Sequence, residues 1–172
     1  MNRQRWNPAT IAMLVAYSAT IATANWASTM CPPIVIVHLD VPAGAFFAGL
    51  AFTLRAGVQE FLGAQTALVA VAGGAALSAL VASPRMAVAS AVAFALSELS
   101  AFVVYGALRR WGRLTAVGAS GAVGLLVDSL VFVPLAFGSL TYLGGQITGK
   151  TATTVLALAV LATVRAHRRR PA

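Results

Sequence analysis

The chain has 172 residues, of which 59% are hydrophobic and only 9% charged, and its mean hydropathy is +0.85. Soluble domains carry about 25% charged residues, so this sequence lacks the polar side chains to cover a globular surface in water, and a lipid bilayer is the expected solvent. The net charge of +8 comes from 12 Lys+Arg against 4 Asp+Glu; the basic residues cluster at the ends of apolar segments rather than along one helix face, which argues against nucleic acid as the partner. The single cysteine, Cys31, excludes an internal disulfide and a thiolate zinc site.

A helix needs roughly 20 apolar residues to cross the hydrocarbon core. The first such stretch is 9–29, behind a short lead with Arg3 and Arg5. Ala22-Thr23-Ala24 has the look of a signal-peptidase site, but cleavage there leaves an odd number of spans. Met30 to Pro42, with three prolines, His38 and Asp40, is expected to be an external connection, part of it extended, with Asp40 capping the next helix. The following spans are read as 43–62, 64–82, 86–108, 114–137 and 140–164, making one six-helix transmembrane domain over 1–172. Gly118, Gly121 and Gly124 recur at every third position and are expected to form a packing stripe.

Six spans put both termini and the second and fourth loops on one side. That side, with the inner end of the second span, collects Arg3, Arg5, Arg55, Arg109, Arg110, Arg113, Arg165, Arg168, Arg169 and Arg170, against Arg85 alone on the other. The positive-inside rule then places both termini in the cytoplasm and the chain in the cell membrane.

Three charges lie deep inside the spans. At 1.5 Å per residue, Lys150, Asp128 and Glu98 all lie about 14–18 Å from the span ends, near the middle of a core about 30 Å thick. Ionised groups at that depth cost about 2.5–3.5 kcal/mol on insertion scales and normally face a cavity or one another. Two readings stay open: a structural Asp128–Lys150 ion pair with Glu98 protonated, or a central polar site for a solute or a proton, which Asn25 and Gln146 would extend. Tyr17, Tyr105 and the tryptophans fit interfacial anchors as well as ligand contacts.

Two enzyme signatures occur and fail on context. Gly144 to Thr151, GGQITGKT, satisfies the phosphate-loop pattern, but its flanks are apolar spans rather than a strand and a soluble helix. Gly118-Ala119-Ser120-Gly121 matches an intramembrane serine protease pattern, yet His38 and His167 both lie outside the spans, so Ser120 lacks a base. No catalytic residue, metal or cofactor is expected.

The stretches VPAGAFFAGLAFTLRAGVQEFLG, ALSELSAFVVYGALRRWGRL, ASGAVGLLVDSLVFVPLAFG and GGQITGKTATTVLAL, in that order, with Asn25 in TANWAS, resemble the vitamin uptake transporter (VUT) family, which includes bacterial queuosine-precursor transporters. The resemblance implies an all-α integral membrane transporter of six helices, similar in architecture to the substrate-binding components of energy-coupling-factor importers. It implies 7-cyano- or 7-aminomethyl-7-deazaguanine as substrate, and an energising ATPase module or a homo-oligomer as partner. Asp128 is the first candidate for recognition, because a carboxylate can accept two hydrogen bonds from the amino-pyrimidinone edge of a guanine-like base. Glu98 comes second and Lys150 serves as charge partner or carbonyl donor, with Asn25, Gln146, Glu60 and Arg55 completing the substrate-binding set. Two positions depart from the family: Ala56 and Ala101 stand where it commonly has aspartate. A separate class of reading, a structural membrane protein whose midplane charges only pair helices, is the alternative.

Overall fold

A computed structural model gives the structure of residues 7–168, with the side chains at positions 56, 60, 64, 113, 114, 161, 162 and 164–168 outside the description. Its elements are α1 Pro8–Met30, β1 Ile34–Ile36, β2 Leu39–Val41, α2 Ala43–Leu62, α3 Ala64–Val81, α4 Pro84–Leu108, a 3-10 turn Arg109–Trp111, α5 Arg113–Phe137 and α6 Leu143–Arg168. The boundaries follow local chemistry. Asn7 and Thr10 form a reciprocal capping box at the start of α1, with Pro8 in the first turn, where a missing N–H is not needed. Ser83 and Pro84 start α4 in the same way. α5 ends at Gly138, whose φ of 75° is the left-handed conformation that closes a helix. Arg85 Nε then donates to the Leu135 carbonyl at 2.9 Å, satisfying one of the orphaned acceptors of that helix end.

The segment between α1 and α2 is an antiparallel hairpin pairing Ile34 with Val41, Val35 with Asp40 and Ile36 with Leu39. It turns at Val37 and His38, both at positive φ, as a two-residue hairpin requires. Asp40 is therefore a strand residue and does not cap α2, whose N-cap is Pro42 without a side-chain hydrogen bond. The last helix starts at Leu143 rather than 140, because residues 138–142 turn the chain: the Leu143 N–H bonds the Leu140 carbonyl at 2.9 Å, and the Ser139 and Thr141 hydroxyls bond at 3.3 Å. GGQITGKT thus occupies the first two turns of α6, not the middle of a helix, and is helical throughout, with no loop to cradle phosphate.

The six helices close a ring. α1 packs on α2 and α3, α2 on α6, α3 on α4, α4 most extensively on α5, and α5 on α6. The α2–α6 contact is backbone-close: a Cβ at Gly49 would stand 2.5 Å from the Lys150 carbonyl oxygen, and one at Gly145 would collide with the Asp40 carbonyl. The Thr154 hydroxyl donates across the same contact to the Gly49 carbonyl at 3.0 Å. The expected stripe on α5 is not one. A Cβ at Gly118 or Gly121 would meet nothing within 4 Å, and only Gly124 approaches α4, at Ala101.

Polarity runs inward. Asn25, Ser78, Ser97, Ser129, Gln146 and Lys150 are buried, whereas Val69, Leu80, Phe102 and Leu156 are exposed. Contiguous apolar exteriors of this kind are unusual for a protein in water. Helix hydroxyls that face the outside bond their own backbone, as Thr23 does to the Ala19 carbonyl at 2.8 Å. Among the described residues, Pro84–Trp111 and Thr115–Phe137 are long and apolar enough to cross a membrane, and Gln65–Val81 is apolar but shorter.

Candidate functional site

The ring surrounds a partly open cavity of about 60 Å³ to which all six helices contribute side chains. One ordered water needs roughly 10–15 Å³ by the same measure, so the space is several waters large. α1 presents Tyr17, Ile21, Ala24, Asn25 and Ser28, the i, i+4, i+7, i+8 face of one helix. α2 adds Phe52 and Arg55, α4 Ser90 and Phe94, α5 Asp128 and Phe132, and α6 Gln146 and Lys150.

Two ion pairs organise this interior. Lys150 Nζ binds Asp128 Oδ2, linking α6 to α5, with side-chain exposures of 1% and 13%. The same ammonium lies 3.4 Å from Ser129 Oγ and 5.6 Å from the centre of the Phe132 ring, so its charge meets a carboxylate, a hydroxyl and an aromatic face. Arg55 Nη1 binds Glu98 Oε1, with Gln59 Oε1 3.4 Å away on the same helix. The Arg55 guanidinium sits 6.0 Å from the ring centres of both Phe52 and Phe94. Glu98 is therefore paired with Arg55 on α2. Arg55, counted from sequence among the inner basic residues, belongs to the interior.

Neutral polar groups complete the lining. Asn25 is 2% exposed, lines the cavity, and its Nδ2 donates to Ser78 Oγ at 2.9 Å. Gln146 is equally buried, and its Oε1 has no hydrogen-bond partner. A buried acceptor without a partner costs about 1–3 kcal/mol, which a bound donor would recover. The structure thus gathers Asp128, Lys150, Asn25, Gln146 and Arg55 around one space, with Glu98 behind Arg55. The side chain of Glu60 lies outside the described residues. Sequence reasoning underrated Tyr17, which is 1% exposed inside the bundle and no interfacial anchor. Its helical register with Asn25 was the available signal. The three cavity phenylalanines carried none, since aromatic residues are spread over the lipid-facing surface as well.

Ser120 is buried, and its hydroxyl donates to the Val117 carbonyl at 3.1 Å. His38 stands in the hairpin turn, and the His167 side chain lies outside the described residues. No group of His, Cys, Asp and Glu suited to a metal occurs among the described residues.

A family model described as "Putative vitamin uptake transporter" matches residues 78–164, which hold α4, α5 and most of α6. The chain belongs to the vitamin uptake transporter family. No curated protein and no solved structure matches it. Membership of a transporter family, with apolar helices long enough to cross a bilayer, gives a membrane protein of the transporter type. The matched region carries Glu98, Asp128, Gln146 and Lys150; Asn25 and Arg55 lie outside it.

Proposed function

We propose that this VUT family chain is a six-span importer of a small polar heterocycle, with both termini cytoplasmic, and that queuosine precursors, 7-cyano- and 7-aminomethyl-7-deazaguanine, are its first candidate substrates. The observation that carries the reading is the buried, unpartnered Gln146 oxygen on a cavity that also holds a carboxylate. Asp128 gives one oxygen to Lys150 and keeps further acceptor capacity for the N–H edge of a guanine-like ring. Phe132 and Phe94 supply apolar faces against which a flat ring can pack.

With Arg55 in the interior, the charge asymmetry between the two sides remains. By sequence, six spans put nine arginines, at 3, 5, 109, 110, 113, 165, 168, 169 and 170, on one side, against Arg85 alone on the other. Lys150 lies seven residues into α6 and Asp128 nine from the end of α5, about 10 Å and 14 Å deep. A charge at that depth needs a partner or a cavity, and these two residues have both.

Uptake of a labelled precursor by cells without a transporter of their own tests this. Expression of the chain confers uptake, and Asp128→Asn abolishes it while the protein still reaches the membrane. Uptake that Asp128→Asn leaves intact would refute the site. Uptake that depends on added ATPase subunits would make the chain a binding component of a larger importer, and no uptake of any candidate by a folded protein would leave the charges a structural role.

A further inference from the structure

Of the two interior ion pairs, one sits where a barrier to the cytoplasm belongs. Counted from the hairpin end, Arg55 is twelve residues into α2 and Tyr17 thirteen from the end of α1, about 18–20 Å. They are the deepest cavity residues, and Lys150 is the shallower by about 8 Å. α2 and α4 are not neighbours in the ring, so the Arg55–Glu98 contact crosses its interior. Phe52 and Phe94 flank the guanidinium from these same two helices. An ion pair and two rings therefore stand at the end of the cavity away from the hairpin.

The two pairs also differ in how firmly they are held. Lys150 is 1% exposed, pinned by Asp128, Ser129 and Phe132. Arg55 binds Glu98 through Nη1 alone, its buried Nε has no partner, and the two side chains are 16% and 26% exposed. A planar guanidinium can grip a carboxylate with two parallel bonds, and here it uses one. The more exposed, single-pronged contact is the one that opens at lower cost.

We propose that Arg55–Glu98, with Phe52 and Phe94, is the inner gate of this transporter, and that it must break for solute to leave the cavity toward the cytoplasm. This rests on the transport reading above and assigns Arg55 to gating rather than to holding substrate. The test uses full-length protein with Cys31→Ser and Ser90→Cys, which puts one thiol in the cavity wall. A membrane-impermeant charged methanethiosulfonate is applied to inside-out and to right-side-out vesicles. With the pair intact, the thiol is protected in inside-out vesicles. Glu98→Gln and, independently, Arg55→Gln raise that labelling rate at least tenfold, the rate in right-side-out vesicles stays unchanged, and the exchange Arg55→Glu with Glu98→Arg restores protection. Rapid inner labelling of the intact chain, continued protection in both single variants, or an exchange that leaves the thiol as reactive as the single variants would overturn the gate. The labelling reads barrier position and not uptake, so a chain that carries no precursor can still show the pattern, and a contrary pattern leaves the uptake result standing.

Discussion

Removing one partner of the Lys150–Asp128 pair strands the other inside the ring. Asp128→Asn leaves an ammonium that is 1% exposed without its counter-ion, with neutral groups, the remaining amide oxygen, Ser129 Oγ at 3.4 Å and the Phe132 ring at 5.6 Å, as compensation. Lys150→Met leaves a carboxylate that is 13% exposed, so it keeps slightly better access to polar surroundings. Breaking a buried pair by deleting one member costs about 3–5 kcal/mol, whereas replacing both with neutral groups of similar volume is often nearly neutral. Asp128→Asn is expected at the upper end of that range and Lys150→Met at the lower. The double variant should lie within about 1 kcal/mol of the parent, because no charge is then left unpaired. For a chain of this length 1 kcal/mol moves the melting temperature by about 2–4 °C, so the single variants should melt about 6–20 °C lower and the double variant close to the parent. Thermal unfolding of purified protein in one detergent, followed by circular dichroism, measures all four. A double variant as unstable as the sum of the singles would show that the two residues do not act as a pair, and the arrangement of α5 against α6 would need another cause.

The other predictions concern the cavity wall and the tight helix contact. Gln146→Leu removes a buried oxygen that has no partner, so it should leave melting unchanged or raise it, by up to the roughly 1–3 kcal/mol such an orphan costs, while weakening precursor binding at least tenfold in a filter or calorimetric assay; a loss of stability would mean that Gln146 serves the fold. Gly49→Ala places a methyl 2.5 Å from the Lys150 carbonyl and should cost about 1–3 kcal/mol as overpacking. Gly73→Ala, where a Cβ meets nothing within 4 Å, should instead stabilise by roughly 0.5–1 kcal/mol through helix propensity, and equal effects of the two on melting would contradict the close α2–α6 approach.

What the sequence made legible, it made legible through polarity. Lys150 and Asp128 stood out because a charge in an apolar run is expensive, and the cheapest explanation, that they meet, matches the geometry. Arg55, which the sequence reading placed both in the substrate-binding set and on the inner side, was less legible by the same rule. Close to the end of an apolar stretch, an arginine reads as an anchor, and only the packing of α4 opposite α2 brings Glu98 within reach. Register along α1 was available, since Tyr17, Ile21, Ala24, Asn25 and Ser28 fall on one helix face, but Ser18, Thr20 and Thr23 spread hydroxyls around the same helix and blur which face turns inward. The hairpin was legible only as a break. Val37 and His38 are not the residues that usually announce a two-residue turn, for Asn-Gly and Asp-Gly adopt positive φ at less cost. The Gly118–Gly121–Gly124 stripe misled because small residues permit a close contact without supplying a neighbour.

The departures from the family bear on which precursor the cavity would favour. Ala101 stands where the family commonly has aspartate, yet its methyl faces Gly124 across the α4–α5 contact and does not line the cavity. The side chain of Ala56 lies outside the described residues. Among the described residues, the charged groups on or behind the cavity are then Asp128 with Lys150 and Arg55 with Glu98, two opposite pairs that sum to zero. A neutral polar solute adds hydrogen bonds to such a site without upsetting either pair. A solute bearing an ammonium, as an aminomethyl group does at neutral pH, brings one charge that must either take Asp128 from Lys150 or stay uncompensated, and an unpaired buried charge costs several kcal/mol. The nitrile-bearing precursor should therefore bind at least tenfold more tightly than the aminomethyl one, equivalent to about 1.4 kcal/mol. Competition of the two unlabelled compounds against one labelled precursor reads the ratio directly. Lys150→Met frees Asp128 for the ammonium and should narrow or invert the preference; tighter binding of the aminomethyl compound by the parent chain would mean that the cavity is not electrically balanced as the two pairs require.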